Sequence, residues 1–170
     1  MSARALEQKT QNLWKTYDAI NELIRFADTK ATAILAIDGV IAGFFFSNIG
    51  TIQTILQQKP IAIVPLIMAA GFILISLGFS AYCITPRLKM NKSKCLIFFC
   101  DISEHQSADA YRKAVENEMS DDKIERHLTD QIWANSKIAK RKYEAVTISV
   151  IIFVALVFTS IAFMFLASGG

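Results

Sequence analysis

The chain has 170 residues, 53% of them hydrophobic and 19% charged, with a formal net charge of +3. Soluble domains carry about a quarter charged residues, and here the deficit is concentrated. No charge lies between Pro60 and Pro86 or after Glu144, and Asp38 stands alone between Lys30 and Lys59. About 20 apolar residues cross a bilayer as a helix, so three spans are predicted. A 170-residue soluble core and a secreted disulfide scaffold are both excluded.

In chain order, residues 1–30 mix five Lys/Arg with four Asp/Glu. They hold no apolar run, so they do not read as a cleavable signal. They are predicted as a cytoplasmic helix continuous with an uncleaved first span at 31–49. Its seam is Leu13, Tyr17, Ile20, Ile24, Ala27, Ala31 and Ile34, alternating steps of four and three as in helices packed lengthwise. An outer loop at 50–60 leads to a second span at 61–84, which opens after Pro60 and stops before Pro86. Residues 85–144 are expected to form a cytoplasmic sensor module ending in a stalk helix. Within it, 94–102 reads as a strand or buried extended segment, and Ser107 caps a helix from 108 to about 117. Ser120 with Asp121 and Asp122 reads as the start of the stalk, whose packed side carries Ile124, Leu128, Ile132, Ile138, Ala139, Tyr143 and Val146. The third span is 145–167 and the outer tail 168–170. The fold class is thus an all-α integral membrane protein: three transmembrane helices with long cytoplasmic extensions and a small cytoplasmic module.

Five Lys/Arg lie in 1–30, twelve in 85–144 and one, Lys59, between them. Basic residues stay on the cytoplasmic side, so the N-terminus and the central region are expected inside and the C-terminus outside. Cys83, Cys95 and Cys100 then sit at or inside the cytoplasmic face as reduced thiols.

No phosphate-binding loop, dinucleotide fingerprint, zinc-protease motif or nucleophile elbow is present, and two histidines without a placed acid or nucleophile make no active site. No enzyme is expected. Cys95, Cys100 and His105 have metal-like spacing but lack a fourth ligand, so no metal is expected. No basic run interleaved with aromatics points to nucleic acid. Asp38 continues the seam four residues beyond Ile34, so its carboxylate is expected inside a helix bundle. It then either lines a wet path or bonds a neighbouring helix. Gly39, Gly43 and Ser47 form a small-residue stripe permitting close helix approach and a homo-oligomer, and Ser76 and Ser80 repeat that spacing. Arg25, Asp28, Thr29 and Thr32 share one face at the membrane boundary; periodicity alone makes them an exposed ion pair, with Lys30 snorkelling to headgroups.

Phe26-Ala27-Asp28-Thr29-Lys30-Ala31 entering a membrane helix resembles the signature of the transmembrane effector family of Pycsar antiphage defence. Ile97-Phe98-Phe99-Cys100-Asp101-Ile102 after the second span, Tyr111 in the next helix and Lys142-Tyr143 entering the last span fit the same likeness. Cys100 departs from it, standing where a Phe-Gly-Asp pattern would have glycine. The resemblance covers nearly the whole chain in order. It implies a multi-pass protein of the bacterial inner membrane, paired with a pyrimidine nucleotide cyclase. Cyclic UMP or cyclic CMP would activate it to impair that membrane and halt the infected cell. Such a ligand calls for a cation on its phosphate, an aromatic face for its base and an acceptor at the base edge. Candidates are Arg25 and Lys142 for the first, Phe98, Phe99 and Tyr143 for the second, and Asp28 and Asp101 for the third, with Lys30 a further ligand-binding candidate to which no one of these parts is assigned. The competing readings are an assembly protein that binds a partner without ligand gating, and a small ion-channel subunit using Asp38.

Overall fold

The computed structural model describes residues 3–86, 96, 99–118 and 121–168. They form α1 (Ala3–Ser47), α2 (Ile49–Gln58), a 3-10 turn (Pro60–Ala62), α3 (Ile63–Ile84), α4 (Phe99–Ser103), α5 (Ala108–Glu118) and α6 (Asp121–Ser168), with no strand among the described residues. Three of these helices are long and apolar enough to cross a membrane. The long helices follow from what the sequence lacks. Proline is absent before Pro60 and after Pro86, and α6 contains neither Pro nor Gly. α3 stops where Thr85 precedes Pro86. That residue leaves the helical region at φ −58°, ψ 122°, because a following proline ring crowds the α conformation.

Two expectations are corrected. Residues 99–102, read as extended, lie in α4. A lone strand with no neighbouring edge would leave its peptide groups unpaired, whereas a helical turn satisfies them locally. The segment read as a loop at 50–60 is largely α2. Its Ile52 is buried with Ala62 and Phe163, and Ile55 and Leu56 pack against them. Ser107 does cap α5, its Oγ accepting from the Ala110 amide at 3.1 Å. Ser120 and Cys95 lie outside the described residues.

The chain divides into two compact units, one of Met1–Arg25 and Pro86–Lys140, the other of Phe26–Thr85 and Arg141–Gly170. In the first, α1 and α6 run parallel, joined by the Lys9–Glu125 ion pair and by Asn135 Nδ2 donating to Asn21 Oδ1 at 2.8 Å. Leu128, Gln131, Asn135 and Ala139 are buried along α6. The Tyr111 hydroxyl of α5 donates to the Leu96 carbonyl at 2.9 Å, and the His105 ring lies 5.4 Å from that of Tyr111.

In the second unit α3 runs antiparallel to α1, since Ser76 meets Asp38 while Cys83 meets Ala27. Its core is layered. Ala27, Ala31, Cys83, Ala145 and Val146 form a layer of small residues. Ala69, Ile73 and Leu156 form a bulkier one, flanked by Ile41, Phe45 and Phe153. Ile52, Ala62 and Phe163 close the far end, where Lys59 Nζ caps the Leu166 carbonyl at 3.2 Å and complements the helix dipole. Val40, Phe46, Leu74, Phe158 and Phe165 face outward while Asp38, Ser76, Ser80 and Ser149 are buried. That arrangement inverts a water-soluble domain and suits a lipid surround.

Candidate functional site

At the start of the second unit the three helices close around an ion pair. Ala27 and Ala31 on α1 and Ala145 on α6 are small and fully or almost fully buried, and Lys142 on α6 is buried as well. Lys142 Nζ donates to Asp28 Oδ1. The Lys142 side chain is 5% exposed and that of Asp28 35%, so the ammonium is sealed while the carboxylate touches solvent. Cys83 completes the group from α3: its Sγ lies 3.7 Å from the Lys142 carbonyl, 3.8 Å from that of Ala27 and 3.9 Å from Asp28 Oδ1. A lysine buried this far is tolerable only with its counter-charge in contact. The pair therefore holds α1 and α6 in register.

Outside this sealed pair lies an exposed rim. Lys30 Nζ sits 4.8 Å from the Phe26 ring centroid and 5.9 Å from that of Tyr143, both within cation–π range. Phe26 is exposed and Tyr143 half-buried. The rim therefore offers one ammonium with two aromatic rings beside it.

Of the residues singled out from the sequence, Asp28, Lys30, Lys142 and Tyr143 come together here. Arg25 and Asp101 belong to the first unit, where Asp101 is 4% exposed. Phe98 lies outside the described residues, and Phe99 opens α4. Asp38 is fully buried and accepts from Ser76 Oγ at 2.5 Å. Gly39, Gly43 and Ser47 lie on the outer side of α1. A Cβ added at Gly39 or Gly43 would meet nothing within 4 Å. Ser76 and Ser80, read from spacing as a second stripe for helix approach, are instead buried in the chain's own bundle, Ser80 Oγ donating to Ser149 Oγ at 3.4 Å.

Sequence reasoning missed Cys83, Ser149, Gln131 and Asn135 as packed positions. Stepping from Leu128 by threes and fours reaches Gln131, Asn135, Ile138, Lys142, Ala145 and Ser149. The signal was there, but reading only apolar residues hid it. Among the described residues no three His, Cys, Asp or Glu converge as a metal site. A cavity of about 370 Å³ lined by Ala42, Phe45, Leu66, Ala69 and Ile73 is almost wholly apolar and offers nothing to a phosphate.

Long apolar helices with outward hydrophobic faces and a sealed ion pair define a helical membrane protein. Its residues 12–169 match PycTM, the Pycsar effector protein domain, and the chain belongs to that family. A curated relative, the Pycsar effector protein PtPycTM of Propioniciclava tarda, is 26% identical over 141 residues, covering 79% of this chain and 68% of the relative. No solved structure matches the chain.

Proposed function

We propose that this protein is the membrane-acting effector of a cyclic-nucleotide antiphage defence system. Cyclic UMP or cyclic CMP, made by a companion pyrimidine nucleotide cyclase, activates it, and it then impairs the inner membrane and halts the infected cell. The observation that carries this reading is membership of the Pycsar effector family over residues 12–169, on a chain with three membrane-length helices. The protein acts without catalysis, as a homo-oligomer in the bilayer, with the outward Gly39, Gly43 and Ser47 face of α1 available for self-association. Its N-terminus is cytoplasmic and its C-terminus outside.

Within the second unit, the Lys30 rim has the chemistry the ligand needs. The ammonium pairs with the cyclic phosphate and the Tyr143 or Phe26 ring takes the flat base. Lys142 is already committed to Asp28, so its role in this reading is to hold the helices that present the rim.

The test is dye release from vesicles containing the full chain, titrated with cyclic UMP, cyclic CMP, cyclic AMP and cyclic GMP. Release with a pyrimidine nucleotide alone supports the reading. Release that ignores nucleotide, or none with any, overturns it. Removing a charge-assisted contact costs about 1.5–3 kcal/mol, so Lys30→Ala is expected to weaken calorimetric affinity about ten- to a hundredfold.

A further inference from the structure

We propose that Asp38 is a reversible proton-binding site at the inner end of a file of buried polar side chains in the second unit. The inference is independent of nucleotide gating and concerns the resting chain. Asp38 is fully buried. Its Oδ2 accepts from Ser76 Oγ at 2.5 Å, while its Oδ1, equally shielded, has no partner among the described residues. A buried carboxyl oxygen without a donor is costly, because water is lost and nothing replaces it. A bound cation neutralises the carboxylate and so removes the larger cost, that of a buried charge.

The surroundings select the kind of cation. Hard metal cations such as calcium and magnesium take about six or more oxygen ligands. Among the described residues Asp38 has one hydroxyl hydrogen-bond partner, and that hydroxyl already donates its hydrogen to Oδ2. A proton needs only one oxygen. No Asp, Glu, Lys, Arg or His occurs in α2, in α3 or in 145–168 of α6, so none of these elements turns such a group toward Asp38. The other titratable groups of α3 are Cys83, at the Asp28–Lys142 pair, and Tyr82, which is exposed. On α1 the nearest charged positions are Lys30 and Asp28. Among the described residues nothing charged competes with a proton for this carboxylate.

The same bundle carries a row of buried polar side chains that supplies the route in this proposal. Cys83, Ser80 and Ser76 descend α3 one turn at a time, by steps of three and four residues. The Cys83 sulfur lies 3.9 Å from Asp28 Oδ1, whose side chain is 35% exposed and forms the solvent end. Ser80 Oγ donates to Ser149 Oγ at 3.4 Å, adding a second hydroxyl at the middle turn, and hydroxyls both donate and accept. Beyond Asp38 the core becomes Ala69, Ile73 and Leu156. The file therefore ends at the carboxyl against apolar side chains, the kind of surface that blocks water and ions.

The test uses the full chain in phospholipid vesicles without nucleotide, read by infrared difference spectra between acid and alkaline buffers. The expected result is a protonated-carboxyl C=O band that disappears in alkali, returns in acid and shifts in heavy water. The band is lost in Asp38→Asn and moves in frequency in Asp38→Glu, which keeps a carboxyl should the amide variant fail to insert. Ser80→Val is expected to retain the band and slow its deuterium shift several-fold. A chain with no Asp38-dependent band at any pH overturns the site, as does a band indifferent to pH. An unslowed shift in Ser80→Val overturns the file. Because no nucleotide is present, any of these results leaves the gating reading to its own titration.

Discussion

α1 and α6 meet through a polar side-chain pair in each unit, Asn21 with Asn135 and Asp28 with Lys142, at the same offset of 114 positions. The second pair lies seven residues, one heptad, beyond the first on both helices. The chemistry differs because the surroundings differ. Two amides can exchange each other for water, so a neutral pair specifies register at modest cost. A lysine sealed by alanines at the head of apolar helices has no such exchange, and separation would strand a charge. The same seam position is thus forgiving in the first unit and unforgiving in the second.

The sharpest way to break this comparison is to strand the lysine. Asp28→Ala leaves the buried Lys142 ammonium unpaired and is expected to cost about 3–5 kcal/mol in denaturant unfolding of the detergent-solubilised chain. Asp28→Leu combined with Lys142→Met is expected to recover most of that loss. Equal losses in the single and double variants would show that the pair is not coupled.

Next come two fully buried leucines, Leu128 in the first unit and Leu156 in the second. Leu128→Ala is expected to cost about 2–5 kcal/mol, the sum of a cavity and a lost transfer from water. Leu156→Ala is expected to cost less, because a helix leaving its partners in a membrane meets lipid as apolar as leucine. Matching unfolding losses would show that both units sense the same solvent.

Smaller again is Asn135→Ala, which leaves the half-buried Asn21 amide without its partner, at about 1–2 kcal/mol by thermal unfolding. Smallest is Lys9→Ala. The Lys9–Glu125 side chains are 51% and 23% exposed, and a pair this wet contributes below about 1 kcal/mol. A loss at Lys9 larger than that at Asn135 would reverse the order on which the comparison rests.

Much of this protein follows from periodicity and from the placement of charge, which act locally along the chain. Charge-free stretches near bilayer length and the scarcity of Pro and Gly are enough to predict three membrane-length helices. The steps from Leu13 to Ile34 pick out the packed side of α1, where Ala27, Ala31 and Ile34 are buried. Ser107 marks the start of α5 because a cap needs only the next three residues. Which side chains meet is a different kind of question, since partners distant in sequence are selected by packing. The stepping from Leu128 puts Lys142 and not Arg141 on the packed side of α6, but nothing local names Asp28 as the group it is buried against. Ser76 and Ser80 have the spacing of a stripe for contact between chains. Only the packing of α3 on α1 and α6 turns them to Asp38 and Ser149. Residues 50–58 read as a loop until Ile52 finds Ala62 and Phe163, and 99–102 read as extended although no strand among the described residues is there to pair with them. Pattern determines which face of a helix seeks cover, and tertiary structure decides what covers it, because a buried polar group's cost depends on the partner it meets.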